Sequence, residues 1–124
     1  MIGSRRNRGI LKSVLRYYGL PGRIRLLARF YSSFIRKGDL CFDPGAHVGD
    51  RIRAWSRLGA RIVALEPDPL CAALLDRWYG SQPDITLLQQ AVGARAGSGQ
   101  LFVSERNPTL NTLSTGWMRG CLLY

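Results

Sequence analysis

The stretch LCFDPGAHVGDRIRAWSRLGARIVALEPDP, residues 40–69, decides the fold of this chain. It begins with a short apolar run that stops at Asp43, as a buried parallel strand does. Apolar residues then recur every three or four positions over residues 48–58, which predicts a helix that Gly59 ends. Residues 62–65 are apolar again and, with Arg61, predict a second strand over residues 61–65. This order of elements is typical of a βαβ unit.

Elements of the same kinds extend outward from this unit. Asp68 and Pro69 predict the N-cap and first turn of a helix that continues to Gly80. The same reasoning predicts the remaining elements: helices over residues 10–18 and 23–35 after a frayed segment 1–9, a third strand over 84–88 and a fourth over 101–103. Strands that alternate with helices predict an α/β fold with a parallel sheet and right-handed crossovers.

Positive charge is concentrated at the N-terminus. The chain has 124 residues, enough for one domain, and a net charge of +10. Residues 1–37 contain ten Lys and Arg and no acid, whereas residues 38–124 are formally neutral. We therefore divide the chain into a basic helical segment, 1–37, and an α/β part, 38–124. The basic segment has three interpretations: helices packed on the sheet, contact with an anionic membrane through residues 5–37, or nucleic-acid binding.

The composition predicts a cytoplasmic protein. No apolar stretch approaches the roughly 18 residues that span a bilayer, and the N-terminus lacks the apolar core of a secretory signal. Cys41, Cys71 and Cys121 form no C-x-x-C motif and are interpreted as small buried hydrophobic residues in a reducing compartment. One histidine and scattered cysteines indicate no metal site.

Two acids and two glycines mark the candidate site. Asp43 ends the first predicted strand and Glu66 ends the second, so both lie at the carboxyl edge of the sheet, where α/β folds bind ligands. Gly45 would let the backbone approach a ligand, and Gly49 would let the next helix start close to the strand. The two carboxylate oxygens of Glu66 suit the two hydroxyls of a ribose.

Two adenosyl ligands compete for this pattern. A dinucleotide-binding loop has the pattern G-x-G-x-x-G, but here only Gly45 and Gly49 are present, without the middle glycine. Asp43 would also repel a pyrophosphate, whereas it suits the amino end of S-adenosylmethionine (SAM). The residues therefore favour SAM over NAD.

The chain resembles the FkbM family of SAM-dependent methyltransferases over residues 36–117. The similarity rests on FDPGAHVGDRIRAWSRLGARIVALEPDP (42–69) and DITLLQQAVGARAGSGQLFVSERNPTLNTLSTGW (84–117). It implies a Rossmann-like fold, SAM as methyl donor and O-methylation of a small hydroxylated acceptor. Carried over by position, the resemblance implies that one loop holds the methionine part of SAM: Asp43, Gly45, Ala46, His47 and Gly49. It also implies that Glu66 binds the ribose. Two pairs of residues would border the adenine, Pro67 with Asp68 on one side and Gln90 with Ala91 on the other.

The sequence departs from the family in two respects. Pro44 stands where the family has an aliphatic residue, and it lacks a backbone N–H. The chain also lacks the family's later strands, so we expect the first half of the parallel sheet with an exposed apolar edge. The alternatives to an active methyltransferase are a catalytically inactive, truncated SAM-binding fragment and a basic membrane-associated module. No catalytic base is assigned.

Further side chains carry weaker expectations. His47 is interpreted as a hydrogen-bonding turn residue rather than a base. Trp55 and Trp78 lie on apolar stripes and are expected in the core. Arg51, Arg53 and Arg57 are expected on a solvated helix face. Asn111, Thr112 and Ser114 are expected beside an acceptor pocket.

Overall fold

The computed structural model describes residues 3–104 and 107–116 as a mixed α/β fold with a parallel sheet. Among these residues it contains four α-helices, three strands and one 3₁₀ turn: α1 Gly3–Tyr18, α2 Arg23–Tyr31, β1 Leu40–Pro44, α3 Asp50–Arg57, β2 Arg61–Leu65, α4 Pro69–Tyr79, β3 Ile85–Leu88 and η1 Pro108–Leu110. The predicted α/β class is confirmed.

The sheet has the order β1-β2-β3 with both pairs parallel. Phe42 lies opposite Val63, and Val63 lies opposite Thr86. Because side chains alternate along a strand, this register divides the sheet into two faces. Ile62 and Ile85 belong to the face that the hydrophobic core covers.

The opposite face of the sheet is open in the part of the chain that the structure describes. Phe42 is 60% exposed there and Leu40 is 50% exposed. β1 is also an edge strand, so the N–H that Pro44 lacks leaves no ladder partner unsatisfied. Among the described residues, β1 is thus an edge strand whose apolar side chains Leu40 and Phe42 are exposed on the open face.

Local signals explain the helix ends. The Asp68 side chain accepts a hydrogen bond from the Leu70 N–H at 2.9 Å and caps α4, with Pro69 in the first turn. Gly59 lies directly after Leu58, the C-cap of α3, and its φ of 76° is the left-handed conformation that glycine favours. Both features were predicted from the sequence.

The N-terminal helices pack against the α/β part. Ala28 of α2 is buried in the same core as the sheet, and the ring of Tyr31 meets that of Trp55 edge-on at 5.4 Å. Tyr18 of α1 donates a hydrogen bond to the backbone oxygen of Val48 at 2.7 Å. α2 therefore shares the core of the sheet, whereas α1 is attached to the α/β part by the Tyr18 hydrogen bond.

Several predicted boundaries are wrong. Residues 3–9 are not frayed but form the start of α1, and α2 ends at Tyr31, where tight turns replace the helix up to residue 35. The expected fourth strand is reduced to a single antiparallel bridge between Phe102 and Thr112.

The tryptophans and cysteines that the sequence predicts in the core are not all buried in the structure. Trp55 is buried as expected, but Trp78 is 37% exposed, and its ring meets that of Tyr18 edge-on at 5.6 Å. Cys71 is buried and Cys41 is half-buried, and both are free thiols. Cys121 lies outside the described residues.

Candidate functional site

A cavity of about 340 Å³ opens at the carboxyl ends of β1 and β2. Its walls come from the β1–α3 loop, the residues after β2, the segment around η1 and one residue of α1. The lining includes six of the residues discussed below: Tyr17, Gly45, Ala46, His47, Glu66 and Pro67. A cavity at this edge agrees with the general position of ligand sites in α/β folds.

The β1–α3 loop turns through left-handed conformations. Gly45 has a φ of 77° and His47 a φ of 52°, the latter a value that non-glycine residues rarely adopt. The N–H groups of Gly45 and Ala46 both donate to the backbone oxygen of Leu65, at 2.7 and 3.0 Å. These bonds tie the loop to the end of β2.

Gly49 has a different role from the one expected. A Cβ at this position would lie 2.7 Å from Cδ2 of Leu75 and 3.1 Å from Cε2 of Tyr79. The close neighbour is therefore helix α4 rather than a strand. Gly49 is buried and does not line the cavity. It permits the loop to pass over α4, and its contribution to a ligand site is indirect.

Glu66 joins the two loops of the site. Its Oε2 accepts a hydrogen bond from the His47 N–H at 2.7 Å, and its Oε1 accepts one from the Asp68 N–H at 2.8 Å. Burial raises the pKa of Glu66, and these two backbone bonds oppose the shift. Each oxygen retains a second lone pair, so the carboxylate can hold the loops and accept a hydroxyl at once.

Asp43 does not face the cavity. Its carboxylate is 1% exposed, and its Oδ1 lies 2.6 Å from Nη2 and 2.7 Å from Nε of Arg51. Burial raises the pKa of Asp43, and the Arg51 guanidinium opposes this effect. The sequence argument that the Asp43 charge would repel a pyrophosphate is therefore weakened, because Arg51 compensates that charge and itself lines the cavity.

Arg51 is not on a solvated helix face as expected. Its Nη2 also donates a hydrogen bond to the backbone oxygen of Gly45 at 3.2 Å, so the side chain spans from α3 to the loop. Arg53 is exposed and lies over the Tyr18 ring, and Arg57 is exposed as predicted. The buried carboxylate of Asp43 recruits Arg51 because a buried charge requires a counter-charge.

Asp68 connects three separate segments behind the cavity. One oxygen accepts from Nη2 of Arg6 at 2.8 Å, and the other accepts from Nδ2 of Asn111 at 2.7 Å. It is 1% exposed and does not line the cavity, whereas its neighbour Pro67 does. The structure thus gives Asp68 the role of fixing α1 and the η1 segment against α4.

His47 carries an unsatisfied ring nitrogen. Its Nδ1 lies 3.6 Å from Sγ of Cys71, and the Tyr17 ring meets the imidazole edge-on at 5.8 Å. Its Nε2 is buried and has no hydrogen-bond partner. Burial lowers the pKa of His47, and Asp50 opposes this shift. An imidazole with a buried, unpaired ring nitrogen therefore stands beside the cavity.

A second cavity of about 620 Å³ adjoins the first. The two share four lining residues: Pro67, Ala91, Leu101 and Leu113. Gln90 lines only the second cavity, whereas Ala91 lines both. Of the four residues that the resemblance assigned to the two sides of an adenine, Pro67, Gln90 and Ala91 line this cavity, whereas Asp68 lines neither cavity.

Only some of the residues expected beside an acceptor pocket line the first cavity. Asn111 and Thr112 line the first cavity, and Ser114 does not. Tyr17, Leu101 and Pro108 also line it and were not predicted. Tyr17 belongs to α1, far along the sequence from the motifs of the α/β part, so nothing local in the sequence marks it as a site residue.

Comparison with known proteins gives no family for the chain: no protein-family model matches it, and no curated protein is a significant match. In residues 3–104 and 107–116, no group of three or more His, Cys, Asp or Glu side chains is placed to hold a metal ion. No helix among the same residues is long and apolar enough to cross a bilayer.

Proposed function

We propose that the chain binds SAM in the two adjoining cavities and belongs to a methyltransferase of the FkbM type, in a Rossmann-like arrangement. The observation that carries this proposal is the position of Glu66, a buried carboxylate at the end of β2 that lines the first cavity and joins its two loops. A carboxylate at this place suits a ribose diol.

The cavities are consistent with an adenosyl ligand. Volumes of about 340 and 620 Å³ lie within or near the range of about 300–1,000 Å³ that small-molecule sites occupy. Glu66 lines the first cavity, and Pro67 and Ala91 line both. His47 also lines the first cavity, and the backbone N–H of its loop is fixed by Glu66.

In this proposal Gly45, Ala46 and His47 hold the methionine part, Glu66 the ribose, and Pro67 with Gln90 and Ala91 the adenine. Arg51, which lines the first cavity, would meet a carboxylate of the ligand. SAM, when bound, supplies an electrophilic methyl group for an acceptor oxygen. The proposed acceptor is a small hydroxylated molecule, for which Asn111 and Thr112 offer polar contacts.

Asp43, Gly49 and Asp68 support the site without lining it. Asp43 positions Arg51, Gly49 allows close packing on α4, and Asp68 holds the η1 segment. The second candidate is a SAM-binding fragment that transfers no methyl group. It is favoured by the three-stranded sheet of the described residues, which leaves one face open.

Titration calorimetry with SAM and with NAD tests the cofactor. We expect saturable SAM binding that weakens about 10- to 100-fold in Glu66→Gln, since a hydrogen bond to a charged group contributes roughly 1.5–3 kcal/mol. Asp84→Asn is the matched control, because Asp84 is an exposed acid away from both cavities. Ala91→Trp, which fills the shared wall without touching the core, should also abolish binding.

The outcomes separate the candidates when circular dichroism shows that each variant is folded. Tighter binding of NAD than of SAM would replace the methyltransferase proposal with a dinucleotide site. The absence of SAM binding by the folded chain would refute it. SAM binding together with no methyl transfer to any hydroxylated acceptor tested would favour the fragment.

A further inference from the structure

The outer sides of α1 and α2 expose large apolar side chains. Leu11 and Leu15 are 56% and 60% exposed on α1, and Leu26 and Phe30 are 67% and 61% exposed on α2. Each pair is separated by four residues and therefore lies on one side of its helix. Phe34 continues the second row, with its ring centroid 5.5 Å from that of Phe30. We call these five residues the α1–α2 face.

Basic residues border this face. Arg8 and Lys12 stand beside the leucines of α1, and Arg25 and Arg29 beside the apolar row of α2. All four are exposed, whereas Arg6 is engaged with Asp68 inside the protein. Residues 1–37 contain no acid that would neutralise them. The face is therefore apolar along its centre and cationic at its border.

The inner sides of the two helices are fixed elsewhere. Arg6 and Tyr17 of α1 point towards the cavity region, where they meet Asp68 and His47. Tyr31 of α2 packs on Trp55. Because the inner contacts hold both helices in place, the outer face is presented without a rearrangement of the fold.

We propose that the α1–α2 face binds the surface of a membrane rich in anionic lipids. Leucine and phenylalanine would enter the boundary between headgroups and acyl chains, while arginine and lysine would meet the headgroup charge. This inference does not depend on the proposed methyltransferase activity, since it concerns the opposite side of α1 from the cavity.

Two other occupants satisfy only one part of the face. A second copy would bring the same cationic border in a symmetric dimer, and like charges would repel. A nucleic acid would satisfy the arginines through its phosphates but would leave the leucines and phenylalanines without apolar contact. An anionic lipid surface satisfies both parts of the face.

Co-sedimentation with vesicles tests the proposal. The full chain is mixed with vesicles of phosphatidylcholine alone or with about 30% phosphatidylserine, at low and at physiological salt. One variant, Leu26→Gln with Phe30→Gln, removes apolar contact, and another, Arg25→Gln with Arg29→Gln, removes charge. The matched control is Leu40→Gln with Phe42→Gln, because these residues are also at least half exposed but belong to the open sheet face. A single-stranded RNA homopolymer is the competing polyanion.

We expect the wild-type chain to bind the phosphatidylserine vesicles at least tenfold more tightly than those of phosphatidylcholine. Each α1–α2 variant should weaken binding about tenfold or more, and the control should bind as the wild type does. The proposal is overturned if the folded chain does not bind, if the control weakens binding as much as the apolar variant, or if the apolar variant binds unchanged. It is also overturned if RNA binds more tightly than the vesicles.

Discussion

Gly49 offers the sharpest test of how the site loop is built. The residue has a φ of 77°, and a Cβ there would lie 2.7 Å from Leu75 and 3.1 Å from Tyr79. Both neighbours are buried, at 1% and 6% exposure, so neither has free space into which it can move. Gly49→Ala therefore combines a strained backbone with overpacking.

Gly45 separates these two costs. It has the same φ of 77°, but no atom lies within 4 Å of the position that a Cβ would take. Gly45→Ala should therefore lower the free energy of unfolding by the backbone cost alone, about 1–2 kcal/mol. Gly49→Ala adds overpacking of about 1–3 kcal/mol, for a total of about 2–5 kcal/mol.

Thermal unfolding followed by circular dichroism measures the difference. A change of 1 kcal/mol shifts Tm by about 4 °C in a chain of this size. We expect Gly45→Ala to lower Tm by about 4–8 °C and Gly49→Ala by about 8–20 °C. Equal shifts for the two variants would refute the conclusion that Gly49 is required by its contact with α4.

Two further predictions concern the charged groups of the site. Arg51→Met should lower the free energy of unfolding by about 2–3 kcal/mol. This loss is smaller than for a fully buried ion pair because the Arg51 side chain is 37% exposed. Arg57→Met, the control, should change the free energy of unfolding by less than about 0.5 kcal/mol. Urea titration measures both, and equal losses would contradict the pairing with Asp43. The pKa of His47 is lowered from 6.5 by burial, so below pH 6.5 the unfolded chain binds a proton that the folded chain does not, and stability falls as pH falls. The difference in unfolding free energy between wild type and His47→Asn, measured from pH 8 to pH 5, should follow this sign, and a pH-independent difference would contradict it.

Elements that depend on neighbours in the sequence were predicted well. The run that ends at Asp43, the glycine after α3 and the Asp68 cap of α4 are local signals, and the structure contains all three. The fourth strand was wrong because the apolar run at residues 101–103 finds only one antiparallel partner, Thr112. A propensity for extended structure does not form a strand without a neighbouring strand.

Contacts between distant residues were beyond the sequence argument. Arg51 lies in the first turn of a helix, and its sequence position predicts a surface residue. In the structure its side chain instead pairs with the buried carboxylate of Asp43. Arg6 reaches Asp68 across 62 positions, and Tyr17 meets His47 from a different helix. Periodicity gives the side of a helix that is buried, but it does not give the partner that the buried side meets.

The contacts that build the candidate cofactor site belong to the described residues, and this makes cofactor binding separable from methyl transfer. Glu66 is held by His47 and Asp68 on the covered side of the sheet, whereas Phe42 is exposed on the opposite face. Parallel sheets are usually covered on both faces, so the open face of β1 lacks a layer that the cofactor contacts do not require. Under the proposed function, binding of SAM and transfer of its methyl group would therefore make different demands on the described fold, and the two are best measured independently.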